Sequence, residues 1–520
     1  MAPTTIRADA VDPHLKLLEL CTKKAWWRVP HLVKLNLLLL IPFLTSYVGG
    51  FDSSMLNGIQ SVPAWQEYFD YPRGAILGVF ANMQVIGGAV SLPLAPWAAD
   101  RFGRRHPIAF GSFVIILGGF VQGFAQNFAM FLAGRFCIGL GAGFVSTAAP
   151  PLLGELSYPS HRPIFTSIYN CCWSLGAIVA AWSTYGTFRM TNDWSWRIPS
   201  LLQIVVSLVQ LCIYLVPESP RWLVANGRVE EATRILNIHH TGVDEPNELV
   251  RLQIAEIVSA IEFERSHKSV SYIQFFRTKA NRHRAFISIS LGFMIQWCGN
   301  ALVSGFLVLV LIETGVTNPE TQNLINGLMT IYNFLVGVTA ATTVERFGRR
   351  KLFLTSTTGM LVAFTIWTIL SAIRQQRDDG SSGLAIGIIA MIFVFNTFYN
   401  IAMAPLPISY LLEVLPFSFR TKGLTLFNLA QYCCGLMNGF INPVGLQNLR
   451  WRYYIVFIAS LCVWFAVFYF FFPETRGLTL EEVAQLFDGR EVLERTYEIK
   501  DGGLPEASYE EKVVVENKEK

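Results

Sequence analysis

Long apolar stretches recur along the chain and are separated by shorter polar connections. Each is about 20 or more residues long, enough helix to cross ~30 Å of hydrocarbon at ~1.5 Å per residue. The twelve stretches span residues 36–58, 75–98, 107–125, 129–153, 164–187, 197–216, 284–313, 323–344, 352–373, 383–411, 422–446 and 453–472. The pattern predicts an all-α integral membrane protein with twelve transmembrane helices.

The connections divide the predicted spans into two groups of six. The longest connection is rich in charge and has helical patches at 229–237 and 248–264. The first stretch follows a polar segment and lacks a small-residue cleavage site, so we expect it to stay as a span rather than be removed as a signal peptide. The predicted parts are an N-terminal segment (1–35), a six-helix bundle (36–216), a helical linker (217–283), a second six-helix bundle (284–472) and a polar tail (473–520).

Basic residues are distributed unevenly among the connections. With both ends of the chain in the cytoplasm, 33 of the 41 Lys and Arg residues lie in cytoplasmic segments, as the positive-inside rule requires. Arg135 lies within the fourth span, and seven residues lie outside: Arg73, Arg189, Arg197, Arg374, Arg377, Arg450 and Arg452. We therefore expect both termini, the linker and the tail to be cytoplasmic. No sorting signal decides between plasma membrane and vacuole, and we expect the plasma membrane.

Composition narrows the possible functions. The chain of 520 residues is 52% hydrophobic and 15% charged, against roughly a quarter charged in soluble proteins. The net charge of +4 is too small to indicate a nucleic-acid partner. Eight of the nine cysteines lie in apolar stretches, so no disulfide framework is expected. The close glycines of Gly139 to Gly143 indicate tight helix packing rather than a phosphate loop. We expect no cofactor, no metal and no enzymatic activity.

Three sequence signals occur once in each half. DRFGRR at Asp100 to Arg105 returns as ERFGRR at Glu345 to Arg350. Glu155 and Arg162 follow the fourth span, and Glu413 and Arg420 follow the tenth at the same spacing. PESPR after the sixth span returns as PETR after the twelfth. The repeats indicate duplication of a six-helix unit, with the two copies parallel to each other.

Taken together and in this order, these motifs resemble the sugar-porter branch of the major facilitator superfamily. AGRFCIGLGAG, GELSYPSHR, PESPRWL and EVLPFSFR add to the resemblance. Within that branch, GGFDSSMLNG, YNCCWSLG and QWCGN resemble the fungal lactose and cellodextrin permease group. The resemblance implies alternating-access transport of a sugar, often with a proton, and we expect the chain to act as a monomer in the lipid bilayer.

Two ionisable residues lie at matching depths inside predicted spans. Asp52 and Arg135 each lie six residues from the outer ends of the first and fourth spans. A carboxylate beside a guanidinium stays ionised, whereas separating the pair in a dry cavity favours proton uptake. In the sugar porters that this chain resembles, these positions form the proton-coupling pair. A purely structural ion pair, or an aspartate facing an outer vestibule, is the alternative.

Sugar hydroxyls both donate and accept hydrogen bonds, so amide side chains within spans are the candidate ligands. By resemblance to sugar porters we expect Asn170, Gln296, Asn300, Gln431 and Tyr432 to bind substrate. An interhelical hydrogen bond is the alternative for each amide. Other polar groups, Asn82, Gln84, Asn396 and Asn400, are equally compatible with a cavity or with packing. Ile408, Gly305 and Phe306 replace aromatic residues that glucose porters carry, which favours a wider site.

Charged residues at the cytoplasmic ends of the spans suggest a gate. By resemblance, ion pairs among them close the inner face in the outward-open state and break when it opens. This predicted gating set consists of Asp100, Arg104, Glu155, Arg162, Glu345, Arg349, Glu413 and Arg420. The alternative is that the RFGRR loops only anchor the chain to the membrane surface.

The sequence thus predicts a secondary transporter that imports a sugar, a disaccharide or a hexose, together with a proton. A sugar-sensing receptor on the same scaffold remains an alternative. So does a carrier of a polyol, quinate or a specialised metabolite.

Overall fold

The computed structural model describes residues 17, 19–22, 24–266, 272–343, 347–377, 382–416, 419–476, 482–483 and 486–487. Within these residues the regular structure is helical. The helices are α1 (Pro30–Ile59), α2 (Pro63–Tyr68), α3 (Ala75–Phe102), α4 (Arg105–Gly123), α5 (Phe128–Leu156), α6 (Arg162–Thr187), α7 (Trp194–Gln210), α8 (Pro220–Ala225), α9 (Val229–Leu236), α10 (Glu248–Ser266), α11 (Tyr272–Arg277), α12 (Lys279–Trp297), α13 (Asn300–Glu313), α14 (Pro319–Thr343), α15 (Arg349–Arg377), α16 (Ser382–Ala402), α17 (Leu406–Val414), α18 (Arg420–Leu449) and α19 (Tyr454–Phe471).

Each of the twelve predicted spans coincides with helix. By length and composition, nine helical stretches of the described residues could cross a membrane, and one of them, Lys422–Phe471, covers both α18 and α19. The two remaining spans are α6 and α14, of 26 and 25 residues, which are long enough to cross but are not among these nine stretches. These two helices pack against each other between the two halves of the chain, so part of their surface faces protein rather than lipid.

Two predicted spans are broken rather than continuous. The seventh consists of α12 and α13, which meet at Gly299, where φ is +99°. A side chain is disfavoured at that angle, and a Cβ there would lie 2.5 Å from the ring of Phe364. The tenth consists of α16 and α17, with a break at Met403 to Pro405. Broken helices at membrane depth place free backbone groups where a cavity can use them.

Close backbone contacts hold the helices of the first half together. A Cβ on Gly139 of α5 would lie 2.0 Å from the carbonyl oxygen of Gln84 on α3. A Cβ on Gly50 of α1 would lie 1.8 Å from the carbonyl oxygen of Trp173 on α6. Only glycine allows this approach, which favours van der Waals contact between helices in lipid. The glycines of α5 therefore serve packing, as their sequence context indicates.

The helices of the linker lie at the face that carries Pro30, Phe102 and Phe471, here called the terminal face. His240 connects the linker to the end of α5, because its Nε2 lies 3.1 Å from the carbonyl oxygen of Leu156. Its Nδ1 lies 3.0 Å from Oε1 of Gln253 on α10. His240 is 3% exposed, and its burial lowers its pKa to about 4. At neutral pH the ring is therefore uncharged.

Candidate functional site

A cavity of about 1010 Å³ lies between the two halves of the chain. Helices α1, α3 and α5 line it from the first half, and α12, α13 and α18 from the second. Its polar lining is Ser53, Asn82, Gln84, Arg135, Ser146, Thr147, Gln296, Ser304, Thr425, Asn428, Gln431, Tyr432 and Asn438. Arg135 is the single charged residue of this lining, so the cavity suits an uncharged polar solute.

Three of the expected substrate ligands line this cavity. Gln296 lies near the end of α12, one turn before the break at Gly299, and Gln431 and Tyr432 face it from α18. Asn438 donates a hydrogen bond of 2.6 Å from Nδ2 to the carbonyl oxygen of Gln296, which fixes the end of α12 against α18.

The other two expected ligands are placed differently. Asn300 begins α13 but is not part of the cavity lining. Asn170 lies on α6, and its side chain falls outside the part of the chain that the structure describes.

The structure adds cavity residues that sequence reasoning missed. Asn428 and Asn438 join Gln431 on one face of α18, at spacings of three and seven residues. That helical spacing is the signal that could have found them. Asn82 and Gln84 also line the cavity, whereas Asn396 and Asn400 do not. Asn400 instead donates to Oδ1 of Asn333 at 3.1 Å.

Asp52 and Arg135 face each other beside the cavity. Nη2 of Arg135 lies 3.4 Å from Oδ2 of Asp52, and both side chains are 1% exposed. The same Nη2 donates a shorter hydrogen bond of 2.8 Å to Oε1 of Gln84. Oδ1 of Asp52 and the other two guanidinium nitrogens of Arg135 have no hydrogen-bond partner among the described residues. The pair is therefore long and incompletely bonded, and an amide that also faces the cavity competes for the arginine.

At the terminal face, Arg104 of the first half contacts two of the expected gating acids. Its Nη1 lies 3.1 Å from Oδ1 of Asp100, and its Nε lies 3.9 Å from Oε2 of Glu155. Glu218 accepts hydrogen bonds from the backbone N–H of Arg104 at 3.0 Å and of Arg105 at 3.3 Å. Ser219 donates its hydroxyl hydrogen to Glu155. Arg162 lies near Glu155 on the wall of a neighbouring pocket.

The second half repeats this arrangement. Nη2 of Arg349 lies 3.1 Å from Oε1 of Glu413. Glu474 accepts from the backbone N–H of Arg349 at 2.7 Å, and Thr475 donates to Glu413 at 2.6 Å. Arg420 donates from Nε to the carbonyl oxygen of Leu415. Glu345, the remaining expected gating residue, lies outside the described residues. The ion pairs found here lie within each half.

The two halves meet mainly at the opposite face, defined by Ile59, Ala75 and Leu449. Three helix pairs carry most of these contacts: α1 with α13, α3 with α18, and α6 with α14. The cross-half hydrogen bonds there are Asn57 Nδ2 to Asn326 Oδ1 (3.1 Å), Gln60 Nε2 to the Gly305 carbonyl (3.1 Å), Asn82 Nδ2 to the Leu436 carbonyl (3.0 Å) and Arg189 Nη2 to Glu320 Oε1 (2.6 Å).

Apolar packing completes this contact at the opposite face. Phe306 of α13 is 3% exposed and packs into the aromatic cluster of the first half around Trp65 and Phe80. The central cavity extends the other way, past Pro93 and Pro96 of α3 and Thr425 of α18, toward the terminal face. The halves are thus joined at one end of the cavity and apart at the other.

The family described as "Sugar (and other) transporter" matches residues 38–487, nearly the whole chain. The chain belongs to this family. The chain is 26% identical over 478 residues to the high-affinity glucose transporter of Kluyveromyces lactis, covering 88% of this chain and 86% of that one. It is 27% identical over 462 residues to the MFS-type transporter criB of Aspergillus cristatus, covering 87% and 93%.

Among solved structures, the inward-open xylose transporter XylE of E. coli shares the fold of this chain. The TM-score is 0.69 at 21% sequence identity, over 87% of this chain and all of that one. The fold is therefore that of a major facilitator transporter. The expected class, an all-α membrane transporter of the sugar-porter type rather than an enzyme, is confirmed.

Proposed function

We propose that this protein imports an uncharged sugar together with a proton, and that it does so by alternating access as a monomer in the plasma membrane. The observation that carries the proposal is the position of Asp52 beside Arg135 and Gln84, which both line a large cavity whose other described lining residues are uncharged. The same guanidinium that pairs with the acid also binds an amide that a solute can reach. Binding of the solute can therefore affect the protonation of Asp52, and protonation of Asp52 can affect binding of the solute.

The distribution of basic residues supports a cytoplasmic position for the terminal face. The described conformation is then inward-facing, because the halves meet at the opposite face and the cavity extends toward the terminal face. In the outward-facing conformation, we propose that the gating set bridges the halves at the terminal face. Among the described residues, Arg104 and Arg349 are held by acids of their own half while that face is open. Switching would then exchange the partners of these charges and not leave them unpaired.

The coupling step starts from the ionised pair in the outward-facing state. A proton that binds Asp52 removes the negative charge that holds Arg135. The guanidinium then depends on Gln84, 2.8 Å away, which faces the substrate. When the cavity opens inward and the sugar leaves, Arg135 and Asp52 can pair again, which expels the proton to the cytoplasm. One proton thus crosses with each sugar.

The lining favours a polyhydroxylated solute larger than one ring. A volume of about 1010 Å³ is at the upper end of the ~300–1,000 Å³ of ordinary ligand pockets. The amides of Gln296, Gln431 and Asn438 can each donate and accept. A disaccharide such as lactose or cellobiose fits a cavity of this volume better than a hexose does.

Uptake of radiolabelled sugars by cells that lack their own sugar transporters tests the proposal. The panel comprises glucose, xylose, lactose, cellobiose, a polyol and quinate, each with and without a proton uncoupler. Concentrative uptake of a disaccharide that the uncoupler abolishes is the expected result. Uptake that the uncoupler leaves unchanged contradicts proton symport, and uptake of quinate alone contradicts sugar transport. A signalling response without any uptake indicates a sensor.

A further inference from the structure

A second, smaller polar pocket lies at the opposite face, away from the central cavity. Its volume is about 230 Å³, and it is lined by Glu313 at the end of α13, Ser371 and Gln375 of α15, and Arg450 and Trp451 between α18 and α19. None of these five residues lines the central cavity. The pocket is below the ~300–1,000 Å³ of ordinary ligand sites, so it suits one sugar ring rather than two.

Several polar atoms of this pocket are left without a hydrogen-bond or ion-pair partner among the described residues. Ser371 is 9% exposed, and its hydroxyl has no hydrogen-bond partner among the described residues. Glu313 accepts one hydrogen bond, from the Tyr454 hydroxyl to Oε2 at 3.4 Å, and its Oε1 accepts none from the described residues. Arg450 has no ion pair within 4 Å in the same part of the chain. A buried hydroxyl without a partner is costly, and a ligand at this place would satisfy it.

The backbone presents Arg450 in an unusual conformation. Its φ is +49°, a left-handed angle that residues with a side chain rarely adopt. Such angles are found where the surrounding structure holds a residue in place, often beside ligands. Here the turn brings the guanidinium to the pocket that also holds the Glu313 carboxylate.

We propose that this pocket is a second binding site, open to the outside, for a single-ring sugar or a polyol. Glu313 and Arg450 place an acidic and a basic group on the wall of the same pocket. Hydroxyl groups suit both, because they donate to the carboxylate and accept from the guanidinium. The indole of Trp451 offers an aromatic face to the C–H face of a sugar ring. The inference rests on the proposed function for its ligand class alone.

The site has a consequence for the transport cycle. Glu313 ends the broken seventh span, whose first segment carries Gln296, and Arg450 follows α18, which carries Gln431 and Tyr432. A sugar held between Glu313 and Arg450 ties the outer ends of both helices while the central cavity faces inward. External sugar can therefore bind one conformation before it is transported, and so shift the equilibrium between conformations.

Protection of an engineered cysteine from modification tests the site without measuring uptake. Gln375→Cys places a thiol at the exposed rim, and a membrane-impermeant thiosulfonate reagent added to intact cells modifies it. The parent chain, with its nine cysteines, gives the background. At a glucose concentration ten times Kd we expect modification to slow by roughly tenfold. Protection should survive Gln296→Ala and be lost in Glu313→Gln and Ser371→Ala.

Each other outcome overturns the proposal. No protection by glucose, mannitol or cellobiose shows that no sugar binds there. Protection that disappears with Gln296→Ala shows that the signal comes from the central cavity. Calorimetry on the purified Gln296→Ala chain provides a second measurement that needs no new cysteine. Glucose should bind that chain at two sites, the weakened central cavity and this pocket, and at only one site when Ser371→Ala is added, whereas binding at a single site in Gln296→Ala itself contradicts the pocket. The cysteine-protection and calorimetry measurements test this pocket even if no sugar is taken up in the uptake panel.

Discussion

The guanidinium of Arg135 lies 3.4 Å from the carboxylate of Asp52 and 2.8 Å from the amide oxygen of Gln84. The distance to the neutral partner is thus shorter than that to the charged one. Since both ionisable side chains are almost fully buried, the charged form of each depends on the other. The proposed coupling follows from this geometry, because Arg135 can still hydrogen-bond to Gln84 when Asp52 becomes protonated.

Asp52→Asn should abolish accumulation of sugar against a gradient and leave sugar exchange intact. The asparagine keeps the shape of the side chain but cannot gain or lose a proton in the cycle. Uptake with an imposed proton gradient and counterflow in vesicles without one measure the two activities. Asp193→Asn, an exposed carboxylate paired with Arg197, is the matched control and should leave both unchanged. Accumulation that persists in Asp52→Asn shows that another group carries the proton.

Gln296→Ala should weaken sugar affinity by roughly tenfold, the equivalent of ~1.4 kcal/mol, which is the loss expected for one hydrogen bond to a buried amide. Binding to the purified chain and the KM of uptake should shift together. Asn400→Ala removes an amide of the same chemistry that lies off the cavity and bonds to Asn333. That variant is expected to keep wild-type affinity. An equal loss of affinity in both variants indicates a general effect on the fold rather than a ligand role for Gln296.

Glu413→Gln should slow turnover several-fold with little change in sugar affinity, because Arg349 loses the acid that holds it at 3.1 Å. Exchanging the charges, with Arg349→Glu and Glu413→Arg together, should restore part of the rate. Initial rates of uptake over a range of sugar concentrations separate the two quantities. Arg234→Gln breaks an exposed ion pair with Asp244 in the linker and serves as the control. If the exchanged pair is no faster than Glu413→Gln, the two residues do not act as a pair.

Gly139→Ala should impair transport, whereas Gly186→Ala should not. A Cβ on Gly139 would lie 2.0 Å from the carbonyl oxygen of Gln84, so α5 must move away from α3 and carry Arg135 with it. A Cβ on Gly186 has no neighbour within 4 Å. Both helical glycines gain the same intrinsic helix propensity from alanine, which makes the pair well matched. Equal activity in the two variants contradicts the close contact of α3 and α5.

His240 should make the linker's attachment sensitive to acid. Burial first, and then the charges of Arg162 and His239, lower its pKa to about 4, against 6.5 in the unfolded chain. The neutral ring therefore contributes about 3 kcal/mol that is fully present above pH ~6.5 and is lost as the pH falls toward 4. Hydrogen exchange of residues 237–253 should show less protection at pH 5 than at pH 7. His240→Gln, which cannot titrate, should show the same protection at both.

Much of this architecture could be predicted from the sequence, because lipid imposes a length and a polarity on every span. The pairing of Asp52 with Arg135 could be predicted from their charges, since two ionisable groups at the same depth in the hydrocarbon have few other partners. The bridging position of Gln84 carried no such signal, because an uncharged amide in a span is also common in helix packing. The break at Gly299 was equally hidden, since nothing in an apolar run shows which glycine adopts a positive φ.

Among the described residues, four hydrogen bonds join the halves at the opposite face; three are formed between uncharged groups, and the fourth is an exposed ion pair. Dissolved salt weakens contacts between exposed charges and barely affects amide contacts. A carrier closed in this way needs no adjustment to the salinity of its surroundings, and it should cycle at nearly the same speed in dilute and in concentrated media.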